Sequence, residues 1–226
     1  MAVSGPTGQM GTKRALEREL STLEGFEEPR VDLEQYSTPA DLAANLLHLA
    51  DLQGDLEGRT VVDLGAGTGI LAIGAALRGP ARIVGIERDL DALALARRNE
   101  SRVGPAVTVD WIRGDATRPP LCPDSPATVV MNPPFGAQRG RRHADREFLK
   151  TAARLAGVSC SIHNADSHDF VEAFAEDEGG TVTHAFAAEM DLDRQFPFHE
   201  EETRAIEMEV FRVEWGRSPD VEGESA

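Results

Sequence analysis

The run Asn132-Pro133-Pro134-Phe135 sets carbonyl acceptors beside a flat apolar ring. An amino nitrogen conjugated to an aromatic ring or a carbonyl is a poor nucleophile, because its lone pair is delocalised. The side-chain carbonyl of Asn132 and the backbone carbonyl of Pro133 can accept its two hydrogens. That draws the nitrogen toward tetrahedral geometry and frees the lone pair for in-line attack on a sulfonium methyl group. Such catalysis works by positioning and electrostatics, without a strong base. Neither proline carries an N–H, and their fixed φ holds the acceptors still. Phe135 offers a face on which a planar substrate stacks, and a base held in a helix must first be flipped out. A Pro-Pro turn after a strand with an ordinary core Phe would look the same in isolation, so its neighbours in the fold decide.

Upstream, Asp63-Leu64-Gly65-Ala66-Gly67-Thr68-Gly69-Ile70 puts three glycines at the turn between an apolar strand and a helix. A ligand must approach the backbone closely there. Dinucleotide enzymes use a similar turn, but their last glycine would fall at Ile70. Here it comes one residue early, which suits a nucleoside cofactor without a pyrophosphate. Asp63 is expected to reach the ammonium group of that cofactor, Glu87 to accept both ribose hydroxyls, and Asp115 to hold the adenine amino group. The cofactor with these parts and a sulfonium methyl is S-adenosylmethionine. No histidines or cysteines have metal-ligand spacing, so no metal site is expected.

These loops need a scaffold that brings strand ends into line, and the sequence punctuation supplies one. Strands over 60–64, 82–86, 107–112, 128–131, 158–162 and 182–187 alternate with helices over 70–77, 90–98, 147–155 and 168–178. A last strand falls within 206–215. Its alternation Ile206, Met208, Val210 changes phase to Phe211, Val213, Trp215, which predicts either a bulge or burial on both faces. Ahead of the first strand come a charged helix over 13–23 and a helix opened by Thr38 as N-cap with Pro39 in its first turn. The pattern is α/β, a Rossmann-like class I methyltransferase sheet of seven mostly parallel strands with helices on both faces and an antiparallel last strand. Residues 1–12 and the acidic tail 218–226 read as disordered, and 13–217 as a single domain with a helical N-terminal cap.

Across 226 residues, 39 acids face 23 basic residues, for a formal charge of −16. Only two of the basic residues, Lys13 and Lys150, are lysines. An acidic, lysine-poor surface suits a salty cytoplasm in which self-repulsion is screened. No apolar stretch is long enough for a membrane span, and the first residues lack a signal-peptide core. Cys122 and Cys160 read as free thiols, so a cytoplasmic protein is expected.

Several further segments resemble the methyltransferase-like protein 5 group, the archaeal and eukaryotic ribosomal RNA adenine-N6 methyltransferases. They are Leu23-Glu24-Gly25-Phe26-Glu27, Leu33-Glu34-Gln35-Tyr36 with Thr38, Phe148-Leu149-Lys150-Thr151-Ala152 and Ser161-Ile162-His163, beside the two loops. The resemblance implies methyl transfer to N6 of an adenosine in small-subunit ribosomal RNA. It also implies that Gln35, Tyr36 and Thr38 cover the cofactor, alongside Gly65, Thr68, Ile70, Glu87, Asp115 and Ala116. The salt-adapted composition then points to a halophilic archaeon. Arg139, Arg141 and Arg142, beside the catalytic run, are expected to grip RNA phosphates, an arginine fork keeping its geometry where charge is screened. A further implied partner is a small zinc-binding methyltransferase activator. The edge strand bearing Val107, Val109 and Trp111 is the expected place for it to add a strand.

Two other functions fit the same residues. The Asn-Pro-Pro-aromatic run also serves methylation of a glutamine amide in translation release factors, usually with Tyr in fourth place. A ribosome assembly factor that binds RNA without chemistry is the other alternative.

Overall fold

The computed structural model describes residues 12–27, 29–30, 33–122, 126–134, 144–193 and 203–216. Along them run α1 (Lys13–Leu20), α2 (Ala40–Leu52), β1 (Thr60–Leu64), α3 (Ile70–Ala76), β2 (Arg82–Glu87), α4 (Leu90–Val103), β3 (Val109–Arg113) and β4 (Ala127–Met131). Then follow α5 (Ala144–Leu155), β5 (Ala156–Asn164), α6 (His168–Asp177), β6 (Gly180–Asp193) and β7 (Thr203–Trp215). The strands form one sheet in the order β3-β2-β1-β4-β5-β7-β6, parallel from β3 to β5 and antiparallel on both sides of β7. This is the expected class I arrangement. The chain moves outward from β1 to β3 and then returns to lay β4 against β1, which opens a crevice at the strands' C-terminal ends. Leu64 pairs with Met131, so Gly65 and Asn132 leave neighbouring strand ends.

Alternation along the strands feeds two cores. Val61, Ile83, Val130 and Ile162 pack with α1, α2 and α3, whereas Val62, Val84, Val129 and Met131 pack with α5 and α6. Burial on both faces explains why β4 is apolar at nearly every position. It also explains the change of phase in β7. Met208 and Val210 face the first core, Phe211, Val213 and Trp215 face the second, and the register with β5 runs unbroken. The irregularity lies instead in β6, between Val182 and His184. Both strands of this hairpin exceed their expected bounds. Since β5 ends at Asn164, opposite Met208, the ribbon from there to Asp193 and Thr203 projects beyond the sheet.

Arg212 interrupts the apolar series of β7. It donates to both carboxylate oxygens of Asp55, at 2.7 and 3.0 Å, and Thr128 Oγ1 donates to the Asp55 carbonyl at 2.6 Å. The turn after α2 is thereby tied to β4 and β7.

The helix ends carry corrections. α1 stops at Leu20 rather than at residue 23, and the chain then turns toward the glycine loop. Pro39, not Thr38, holds the N-cap position of α2, and no side chain caps that helix. α4 runs past residue 98 because Asp89 caps it through the Asp91 amide and Gly104, at φ 61, closes it.

The edge strand also differs from expectation. β3 starts at Val109, so Val107 precedes it, and Val107, Val109 and Trp111 all pack against the first core. The cause is α4, which runs back along this edge. Its Glu100 accepts from the Val109 amide at 2.7 Å and from the Trp111 indole at 2.6 Å. The edge therefore presents backbone and not an apolar side-chain surface.

Candidate active site

At the C-terminal ends of β1, β2, β3 and β4 lies a cavity of about 520 Å³. Of the residues expected at the cofactor, Gln35, Tyr36, Thr38, Asp63, Gly65, Gly67, Thr68, Ile70, Glu87, Asp115, Ala116 and Asn132 line it. Gly69 does not. It sits at φ 88 at the head of α3, packed against Trp111 and Ala96, and its role is to let those side chains close in. Gly65 and Gly67 have positive φ, and a Cβ at either would come within 3.1 Å of the Phe148 ring or 3.3 Å of the Phe26 ring. The bare loop is thus the floor of a slot with aromatic walls. Neither ring was singled out as a site residue by type or spacing; only the family-like segments around them marked their positions.

Each expected carboxylate is held by backbone. Asp63 Oδ2 accepts from the Ala72 amide at 2.9 Å. Glu87 Oε2 reaches back to the Gly67 amide at 2.9 Å, while Oε1 accepts from Arg88 and Asp89. These bonds leave lone pairs for ribose hydroxyls, and they fix the side chain before a ligand arrives. Asp115 Oδ1 takes the Thr117 amide and hydroxyl, at 2.9 and 2.8 Å. The amide bond, with the nearby arginines, holds its pKa below the usual carboxylate value.

Asn132 and Pro134 line the same cavity, and Pro133 is buried behind them. Asn132 Nδ2 donates to Thr38 Oγ1 at 2.9 Å. Asn132 Oδ1 is buried and has no hydrogen-bond partner among the described residues. An unsatisfied buried carbonyl costs free energy, and on a residue of the cavity wall it is an acceptor that a ligand N–H can satisfy. Thr38 therefore holds Asn132 instead of capping its helix. Gln35 is similarly committed: its Nε2 donates to Asp89 at 2.6 Å and its Oε1 accepts from the Arg30 amide. Glu34, at φ 51, supplies the left-handed turn that presents Gln35 and Tyr36. Phe135, Arg139, Arg141 and Arg142 lie outside the described residues.

The cavity suits a cationic nucleoside. Glu34, Asp63, Glu87, Asp115 and Glu147 line it with carboxyl groups and, among the described residues, Arg88 alone with a guanidinium. Among the described residues no cluster of His, Cys, Asp or Glu could hold a metal ion, and no helix is long and apolar enough to cross a membrane.

A sheet in this order, with a glycine-floored pocket at its switch point and an acceptor loop beside it, defines a class I methyltransferase whose methyl donor is S-adenosylmethionine. The chain belongs to the methyltransferase small domain family, whose model matches residues 37–157, and to the methyltransferase-like protein 5 group. It is 34% identical over 207 residues to the rRNA N6-adenosine methyltransferase of Drosophila melanogaster, spanning 90% of this chain and 96% of that one. It is 35% identical over 211 residues to an uncharacterised protein of Methanocaldococcus jannaschii, spanning 89% and 94% of the two chains. The crystal structure of a candidate RNA methyltransferase from Pyrococcus horikoshii superposes with a TM-score of 0.80 at 38% identity, covering 91% of this chain and 98% of that one.

Donor binding is expected to be sensitive to pH through Asp63. Burial pushes its carboxyl up to about 8, against the pull of the Ala72 amide and with help from the Glu87 charge. An ammonium held at Asp63 would need the carboxylate, so donor binding is expected to expel a proton below that value. Donor affinity is expected to fall about tenfold per pH unit between about pH 7.5 and about pH 6, and Asp63→Asn to bind weakly with a flat profile. The sign reverses for stability. The folded cofactor-free protein keeps a proton that the unfolded chain releases near pH 4, so this group costs stability as the pH climbs toward about 8. Cofactor-free Asp63→Asn should therefore melt higher than the native protein at pH 8. Titration calorimetry and thermal melts check both; a flat native binding profile would refute the assignment.

Proposed function

We propose that this protein methylates N6 of an adenosine in ribosomal RNA, within the small subunit. The observation that carries the reading is Asn132 on the pocket wall, its buried Oδ1 without a hydrogen-bond partner among the described residues. With a flipped adenine in place, one hydrogen of its amino group goes to Asn132 Oδ1 and the other to the Pro133 carbonyl. The nitrogen lone pair then points away from the ring plane and toward the glycine loop. S-adenosylmethionine, when bound, would supply the electrophilic methyl group, its S–CH3 bond breaking to leave the neutral thioether S-adenosylhomocysteine as the N–CH3 bond forms. The excess proton on the nitrogen would pass to solvent. Asp63 holds its ammonium end, Glu87 its ribose and Asp115 its adenine. The relatives named as rRNA N6-adenosine methyltransferases support adenine over the glutamine amide, as does Phe at position 135.

Arg139, Arg141 and Arg142 serve as phosphate contacts in this reading, and the backbone edge of β3 as the docking line for a zinc-binding activator in the cytoplasm. Strand addition there requires Glu100 to release the Val109 amide. The deciding experiment is labelled methyl transfer, in molar KCl to suit the composition, onto ribosomal RNA from a strain lacking the gene. The expected product is N6-methyladenosine in the small-subunit RNA, with lower RNA affinity but unchanged donor affinity when the three arginines become alanine. Label in protein, or no label in adenosine, overturns the proposal.

A further inference from the structure

The segment between α1 and α2 supplies Phe26, Gln35, Tyr36 and Thr38 to the cavity wall, and one buried amide behind the cavity ties its first part down. Asn99, on α4, has no exposed surface and does not line the cavity. Its Oδ1 accepts from the Glu24 amide at 2.9 Å, and its Nδ2 donates to the carbonyls of Glu24 and Thr68, each at 3.0 Å. Glu24 belongs to the strap and Thr68 to the glycine loop. Two residues beyond Glu24, the Phe26 ring lies on Gly67. Outside this bolt, Arg102 donates to the Thr22 carbonyl at 3.1 Å and pairs with the Glu24 carboxylate, which Arg98 also approaches at 3.9 Å.

We infer that Asn99 is a positioning residue for the methyl donor: it bolts the strap to the glycine loop and so sets how tightly and how long the donor is held. The inference rests on assigning the cavity to the donor. The chemistry of the bolt singles out asparagine. Two carbonyls and one amide N–H converge on the side chain, and a carboxamide offers two hydrogens and one acceptor to match them. An aspartate keeps the acceptor but opposes both carbonyls with oxygen, and an alanine leaves all three groups unpaired. Phe26, two residues beyond Glu24, walls the cavity over Gly67, so a weaker bolt loosens that wall and shortens residence without touching any group that contacts the donor.

The test uses Asn99→Asp, Asn99→Ala and the outer-clasp variant Arg102→Ala, which buries no new charge and folds if the first does not. Amide exchange is read in the cofactor-free proteins, and donor affinity and dissociation rate are read in the full chain. Exchange at residues 22–27 should accelerate while the sheet amides of Val62 and Val130 keep native rates, and the donor Kd should rise about 10- to 100-fold in the Asn99 variants, less in Arg102→Ala. Uniform acceleration of all amides, or a native donor Kd and dissociation rate, overturns the inference. Glu87→Ala separates the two levels. If it leaves donor binding intact, the assignment of the cavity fails; if it abolishes binding while the Asn99 variants bind as the native protein does, only the bolt fails.

Discussion

Asn132→Ala is expected to lower the rate of methyl transfer about 100- to 1,000-fold while leaving donor affinity within about threefold of native. The asymmetry follows from the geometry. Asn132 Nδ2 already has Thr38, whereas Oδ1 has no partner among the described residues and is the acceptor the proposal assigns to a substrate N–H. What the substitution removes is an acceptor that strengthens as the nitrogen becomes tetrahedral and positive, so the loss belongs in kcat. Asn132→Asp is the informative companion. It keeps an oxygen toward the cavity, and the Thr38 hydroxyl can turn to donate to it, so it should retain more activity than alanine. Full activity in Asn132→Ala would remove the catalytic role from this loop, and equal losses in donor affinity and rate would make it a structural residue.

The largest effect on stability is expected at the Asp55–Arg212 pair, whose side chains are 7% and 5% exposed. Removing Asp55 leaves the Arg212 guanidinium with only the exposed Glu214 carboxylate and the Thr183 hydroxyl, and strands in a dry site the two N–H groups that Asp55 accepted. Asp55→Ala should therefore lose about 3 to 5 kcal/mol, a drop of roughly 10 °C in Tm for a chain of this size. Replacing both, with Asp55→Leu and Arg212→Met, removes the stranded charge and should recover most of that loss, because the pair's attraction is largely offset by desolvation. Chemical denaturation of the single and double variants checks this; a single variant within about 1 kcal/mol of native would show that water reaches the site.

Much of the site was legible because its parts are short, local and chemically unusual. Three glycines in a strand-to-helix turn, an acid ending the next strand and an Asn-Pro-Pro run identify themselves without long-range information. The sheet was legible because burial on both faces writes nearly unbroken apolar runs into β1 and β4. What escaped depends on partners distant in sequence. Asn99 looks like an ordinary polar residue on a helix until residue 24 is brought against it. Trp111 looks like an exposed edge residue until Glu100, on the preceding helix, closes over its indole. Thr38 carries a good capping signature, yet its hydroxyl is claimed by Asn132, far along the chain. Propensity yields in each case to a tertiary bond that no local window contains.

The place of β7 between β5 and β6 also dictates when the molecule can finish folding. During synthesis β5 and β6 emerge first, and each waits with an unpaired edge for a strand made later than either. Until residues near Trp215 leave the exit tunnel, the second core lacks Phe211, Val213 and Trp215, and Asp55 lacks its guanidinium. The donor pocket on the opposite half of the sheet uses none of these groups. A nascent chain can therefore shape its cofactor site early and still remain a sticky, incomplete body until its last strand slides home.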